Sequence, residues 1–147
     1  LKEGQVLVAR LTLQAEQAMP DALVTDLLPA GLEAENLNLG DSGQWDGVSI
    51  GGVALSERGG QATLRHEEYR DDRYVAALAL GNGDTARLYY LVRAVTPGVY
   101  TVPPPQAEDM YQPILRGTGV ARPAQVTVTP PWASRRGRAW RSRGSLP

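Results

Sequence analysis

The run HEEYRDDRY at 66–74 gathers the chain's single histidine, four carboxylates and two arginines into nine positions. Three chemistries fit such a set: metal ligation, paired-carboxylate acid/base work, or a charged face beside a strand. A metalloprotease helix needs H-E-x-x-H, but Arg70 stands where the second imidazole belongs. A site with one imidazole would draw on His66, Glu67, Glu68, Asp71 and Asp72, and Arg70 and Arg73 would then crowd the cation with positive charge. Asp71 and Asp72 are adjacent, so on a strand they point to opposite faces and do not flank one scissile bond. A single histidine leaves little in the chain to activate a hydroxyl nucleophile. The run reads as a charged edge or loop leading into a buried strand. No catalytic residue, metal or cofactor is expected of this chain.

The elements that must position this run belong to a single domain, because 147 residues bury one core. No apolar run approaches the roughly 20 residues that span a bilayer. The opening LKEGQVLVAR has no signal-peptide core and no initiator Met, so the chain is expected to be a piece of something larger. The absence of cysteine excludes disulfides, thiolate zinc sites and a cysteine nucleophile within it, and with no Phe the core must use Tyr, Trp, Leu and Val. Charge is uneven: Arg135, Arg136, Arg138, Arg141 and Arg143 fall in the last 17 residues, which hold no acid. Residues 1–130 then carry ten basic against sixteen acidic side chains, a net of −6. An acidic body repels nucleic acid, so none is expected as a partner. The basic tail, 131–147, with Trp132 and Trp140, shows neither structural period and is expected to be disordered and outside the domain.

Residues 6–14 alternate with Leu7, Ala9, Leu11 and Leu13 on one face, the period of a half-buried strand. DALVTDLLPAGLE predicts a second strand running into a Pro-Ala-Gly turn at 29–31. Residues 38–60, rich in Gly, Ser and Asp, read as a long connection with at most one short helical turn near Val53–Arg58. RYVAALAL and TARLYYLVRAV are strand-like, and GNGD at 81–84 predicts that they pair as a hairpin through Asn82-Gly83. TPGV at 96–99 predicts another turn, and VYTV a strand stopped by three prolines. QAEDMYQPILRGTG then reads as a surface loop before a last strand in AQVTVTP. The expected fold is an all-β antiparallel β-sandwich of about seven strands.

Four blocks occur in register: PDALVTDLLPAGLEAEN at 20–36, EYRDDRYVAAL at 68–78, VRAVTPGVY at 92–100 and EDMYQP at 108–113. Together they resemble the C-terminal macroglobulin-like domain of bacterial alpha-2-macroglobulins, over roughly residues 1–130. EDMYQP points within that family to the thioester-less, MagD type. The resemblance implies a periplasmic, inner-membrane-associated parent built from β-sandwich domains, whose cleavage by host or competitor proteases drives their entrapment. Its implied partners are the parent's other domains, those proteases and inner-membrane proteins. It also makes HEEYRDDRY a structural signature: Tyr69 and Tyr74 anchor a strand, while Asp71, Asp72, Arg70 and Arg73 fix its entry by ion pairs and backbone hydrogen bonds.

Met110 and Tyr111 stand apart, a flexible apolar side chain and a large amphipathic one on a loop. Either they fold back to cap the sandwich, or they contact a neighbouring domain of the parent. A different class of function also stays open, because TDLLPAGL recurs in Ig-like stalk and adhesin modules of bacterial surface proteins. EYRDDR and EDMY argue against it.

Overall fold

Alternation along the first strand, β1 (Val6–Gln14), sends Leu7, Ala9, Leu11 and Leu13 inward and leaves the residues between them exposed. The computed structural model describes residues 1–35, 47, 49–50, 53–54 and 60–133. The strands that follow are β2 (Met19–Leu27), β3 (Leu32–Glu35), β4 (Ser49–Ile50), β5 (Val53–Ala54), β6 (Thr63–Arg70) and β7 (Arg73–Leu80). Then come β8 (Thr85–Ala94), β9 (Gly98–Thr101), β10 (Gln106–Asp109), β11 (Arg116–Thr118) and β12 (Gln125–Val128). All the strand ladders are antiparallel. A three-stranded sheet, β1-β8-β3, packs face to face on a five-stranded sheet, β11-β10-β2-β7-β6, with β12-β9 and β4-β5 as separate pairs. The result is the antiparallel, sandwich-like fold that the alternation implied. There are more strands than seven because segments read as loops join the sheets.

The core lies between the two sheets. From the larger sheet Ala22, Val24, Tyr74, Ala76 and Leu78 face Ala86, Leu88, Tyr90 and Val92 of β8, and all are buried. Burying a leucine fully is worth about 1.5–3 kcal/mol, so the alternation in β7 and β8 specifies both faces strongly.

β7 and β8 nevertheless do not pair. β7 lies between β2 and β6, and β8 lies between β1 and β3, which corrects the hairpin expected through Asn82-Gly83. The favoured two-residue hairpin needs positive φ at both central positions, and only Gly83 has it, at 78°. Asp84 closes the turn by accepting from the Gly81 N–H at 2.7 Å. The Gly83 N–H donates to the Ala15 carbonyl and the Ala15 N–H to that of Asp84, each at 2.9 Å, so the turn is held by the loop after β1. The chain steps from one sheet to the other across the roughly 10 Å that separates packed sheets. The two apolar faces then oppose each other instead of sharing one side.

The real hairpin lies one turn earlier. Asp71 and Asp72 form the two-residue connection between β6 and β7, with Arg70 opposite Arg73. QAEDMYQPILRGTG is also more than a loop. The prolines at 103–105 end β9, but the chain re-enters the larger sheet as β10, hydrogen-bonded between β2 and β11. Only residues 110–115 remain as a connection. Val53 and Ala54, expected to open a helical turn, pair with Ser49 and Ile50 instead. Residues 55–59, like the basic tail from 134 onward, lie outside the described residues.

Candidate functional site

Strand pairing lays the residues of the 66–74 run across one end of the larger sheet. Asp26 on β2 is opposite Tyr74 on β7, and Tyr74 is opposite Tyr69 on β6. Tyr90 of β8 covers this row from the facing sheet, stacked on Tyr74 with ring centroids 4.3 Å apart and planes within 8°. Tyr69 meets Tyr74 at 5.5 Å and a 50° tilt. The Tyr74 hydroxyl donates to Glu67 at 2.6 Å. The Tyr90 hydroxyl crosses the core to donate to Asp26 at 2.5 Å, joining the two sheets by a hydrogen bond. Burial pushes the Asp26 carboxyl above its ordinary value, against the bond from Tyr90, which lowers it. Tyr90 is pushed up by burial and by the neighbouring Asp26 charge. Sequence reading missed Asp26 and Tyr90 as partners of the tyrosine pair, since they are far apart in the chain and on different sheets.

Arg70, Asp71 and Asp72 face solvent, whereas Glu67, Glu68 and Arg73 are half-buried. Arg73 makes two bonds to Asp72, at 3.1 and 2.8 Å, and this pairing holds the Asp72 carboxyl below its ordinary value. Arg70 bonds Glu68, and the Leu28 N–H donates to the Asp72 carbonyl at 2.8 Å, tying the hairpin to the end of β2. His66 is exposed. Among the described residues no three of His, Asp or Glu converge as metal ligands.

A second arrangement sits at the end of β10. Asp109 is buried, 1% exposed, and its carboxylate accepts three backbone N–H groups. Oδ1 takes those of Tyr111 and Gln112, each at 3.0 Å, and Oδ2 takes that of Asp21 at 3.1 Å. Burial pushes this carboxyl up, but the three donors together hold it below its ordinary value. The Met110 N–H donates to the Asp21 carbonyl and the Leu115 N–H to that of Gln112. On this braced backbone the side chains point outward: Met110 is 47% exposed, Tyr111 79% and Ile114 88%. They do not fold back to cap the sandwich. Ile114 was not singled out in the sequence, where an isolated Ile in a polar stretch carries no signal of its exposure.

The described residues thus form an antiparallel β-sandwich with an apolar tip on a braced connection. Residues 1–113 match the model of the bacterial alpha-2-macroglobulin MG10 domain, and the chain belongs to that family. The match takes in all four sequence blocks, from PDALVTDLLPAGLEAEN to EDMYQP. It is 63% identical over 131 residues to an alpha-2-macroglobulin of Xylella fastidiosa strain Temecula1, covering 89% of this chain and 8% of that protein. Escherichia coli alpha-2-macroglobulin activated by porcine elastase is similar in structure, with TM-score 0.77 and 45% identity over 88% of this chain and 11% of that one. Native E. coli alpha-2-macroglobulin from domain MG7 to the C-terminus gives TM-score 0.73 and 43% identity, over 88% of this chain and 20% of that one. The chain thus spans under a tenth of the length of the curated relatives it matches.

Proposed function

We propose that this chain serves as the C-terminal structural and docking domain of a periplasmic, inner-membrane-associated alpha-2-macroglobulin that traps proteases, and is not itself an enzyme. Its direct partners are other domains of the parent. Proteases, and inner-membrane proteins, are met only by the full-length molecule. The observation that carries the reading is the apolar tip of Met110, Tyr111 and Ile114, exposed on a backbone that Asp109 fixes. An aromatic side chain held out by a rigid turn is preorganised to enter a dry pocket, where such residues carry much of an interface's energy. The chain contains no cysteine, hence no cysteinyl thioester. The resemblance to the MagD type rests on EDMYQP alone, and the relatives matched are named only as alpha-2-macroglobulins.

The test is Tyr111→Ala in both this chain and a full-length parent. The unfolding midpoint of the chain should hardly change, because the side chain is exposed. The full-length variant should admit proteases to the closed state faster. A large loss of stability in the chain, or unchanged access in the parent, would refute docking through this tip.

A further inference from the structure

Among the described residues β1 has a ladder partner on one side only, β8. Its other edge faces the open side of the sandwich, across from β10 and β11. Natural edge strands are blunted by bulges, prolines, lysines or short length. β1 carries one charged residue, Arg10, but no bulge, proline or lysine: its nine residues pair with β8 without a register shift, from Val6 opposite Arg93 to Gln14 opposite Thr85. Leu7, Ala9, Leu11 and Leu13 are only half-buried, whereas the inward residues of β7 and β8 are fully buried. The difference is a groove of about 620 Å³ between the sheet edges. Its walls include Leu11, Leu13, Val24 and Ala107, with Arg10 and Arg122 as the charged residues and no carboxylate among the described lining residues. Neither arginine makes an ion pair among the described residues.

We propose that β1 accepts an extended, carboxylate-bearing segment of a partner polypeptide as a fourth strand of its sheet. The free edge of the ladder selects an extended backbone, and the half-buried leucines select alternate apolar side chains. The two unpaired guanidiniums select acid. A second copy of the chain fits poorly, because antiparallel pairing of two β1 strands about their centre sets Arg10 opposite Arg10, and like charges opposed across strands destabilise the pair. Tyr111 does not line this groove, although Ile114 lines an adjoining one with Leu13, and the proposal does not depend on the docking reading above.

The probe is a synthetic peptide as long as β1 in which Val alternates with Glu, compared with its Lys-for-Glu counterpart. Each is titrated into the 147-residue chain while amide exchange is followed. The Glu peptide should slow exchange at every second amide of β1, those facing away from β8, and the Lys peptide should not. Arg10→Glu lies on the exposed face and leaves the core intact. It should weaken the Glu peptide by about tenfold, the scale of one close charge pair, and let the Lys peptide bind. Tyr111→Ala should change neither result. Protection that appears elsewhere, equal binding of both peptides, or a chain that sediments as a dimer with β1 already protected overturns the proposal.

Discussion

Asp26 and Asp109 are the two buried carboxylates among the described residues, and their surroundings push them in opposite directions. Asp26 is raised by burial, so between its ordinary value of 3.8 and its folded value the folded state holds the extra proton. Its contribution to stability is therefore full below the unfolded value and is lost as pH rises through the folded one. Asp109 is lowered, so its contribution is full above 3.8 and is lost as pH falls through its folded value. For these two groups stability is greatest near the ordinary carboxylate value. Asp26→Asn keeps an acceptor for Tyr90 and removes the charge, so the variant should be more stable than the parent chain at neutral pH, with the difference vanishing in acid. Urea unfolding across a pH series measures this, and a variant weaker at neutral pH would refute it. Tyr90→Phe leaves the Asp26 carboxylate buried without its donor and should cost about 1–3 kcal/mol at neutral pH, less in acid. Asp109→Asn discriminates between the two oxygens. An amide oriented to keep the two bonds at Oδ1 turns its NH₂ toward the Asp21 N–H, so exchange should quicken at Asp21 while the Tyr111 and Gln112 amides stay protected.

At the scale of elements, turns decide which strands become neighbours. The Pro-Ala-Gly turn after β2 is built around contact as well as backbone conformation: a Cβ on Gly31 would lie 2.1 Å from the Tyr100 ring. The Tyr100 hydroxyl is in turn held by the Thr96 and Pro97 carbonyls, each at 3.1 Å. Gly31→Ala should therefore cost about 1–3 kcal/mol by overpacking. Combining it with Tyr100→Ala should cost less than the sum of the two single changes, since the clash disappears with the ring. Additive costs in denaturant unfolding would show that the contact does not matter. Gly81–Asp84 shows why turn composition alone misled. Asn-Gly permits a hairpin, but the apolar faces on both sides of it were buried more fully by facing each other across the core. Asp71-Asp72 carries no comparable hairpin signal, yet it turns the chain because Tyr69 and Tyr74 meet as a cross-strand pair on the core side.

Over the whole molecule, stability should follow position in the sheets. β2, β7 and β8 are flanked on both sides and joined through the Tyr90–Asp26 bond. Their amides should exchange only with global unfolding, while the outer edges of β1 and β11 exchange by local opening. Early exchange in β8 would show that the two sheets open independently. The alternation of β1, β7 and β8 by itself determined the all-β class and the inward residues, because a period of two is local and assigns faces without reference to partners. The four blocks determined the family, and the polarity around Met110 and Tyr111 was enough to place them in a connection. Which strands pair, that Gln106–Asp109 returns to the sheet, and that Asp26 meets Tyr90 were decided only in the tertiary structure. Each depends on residues distant in the chain competing for the same core, and no local pattern records the outcome of that competition.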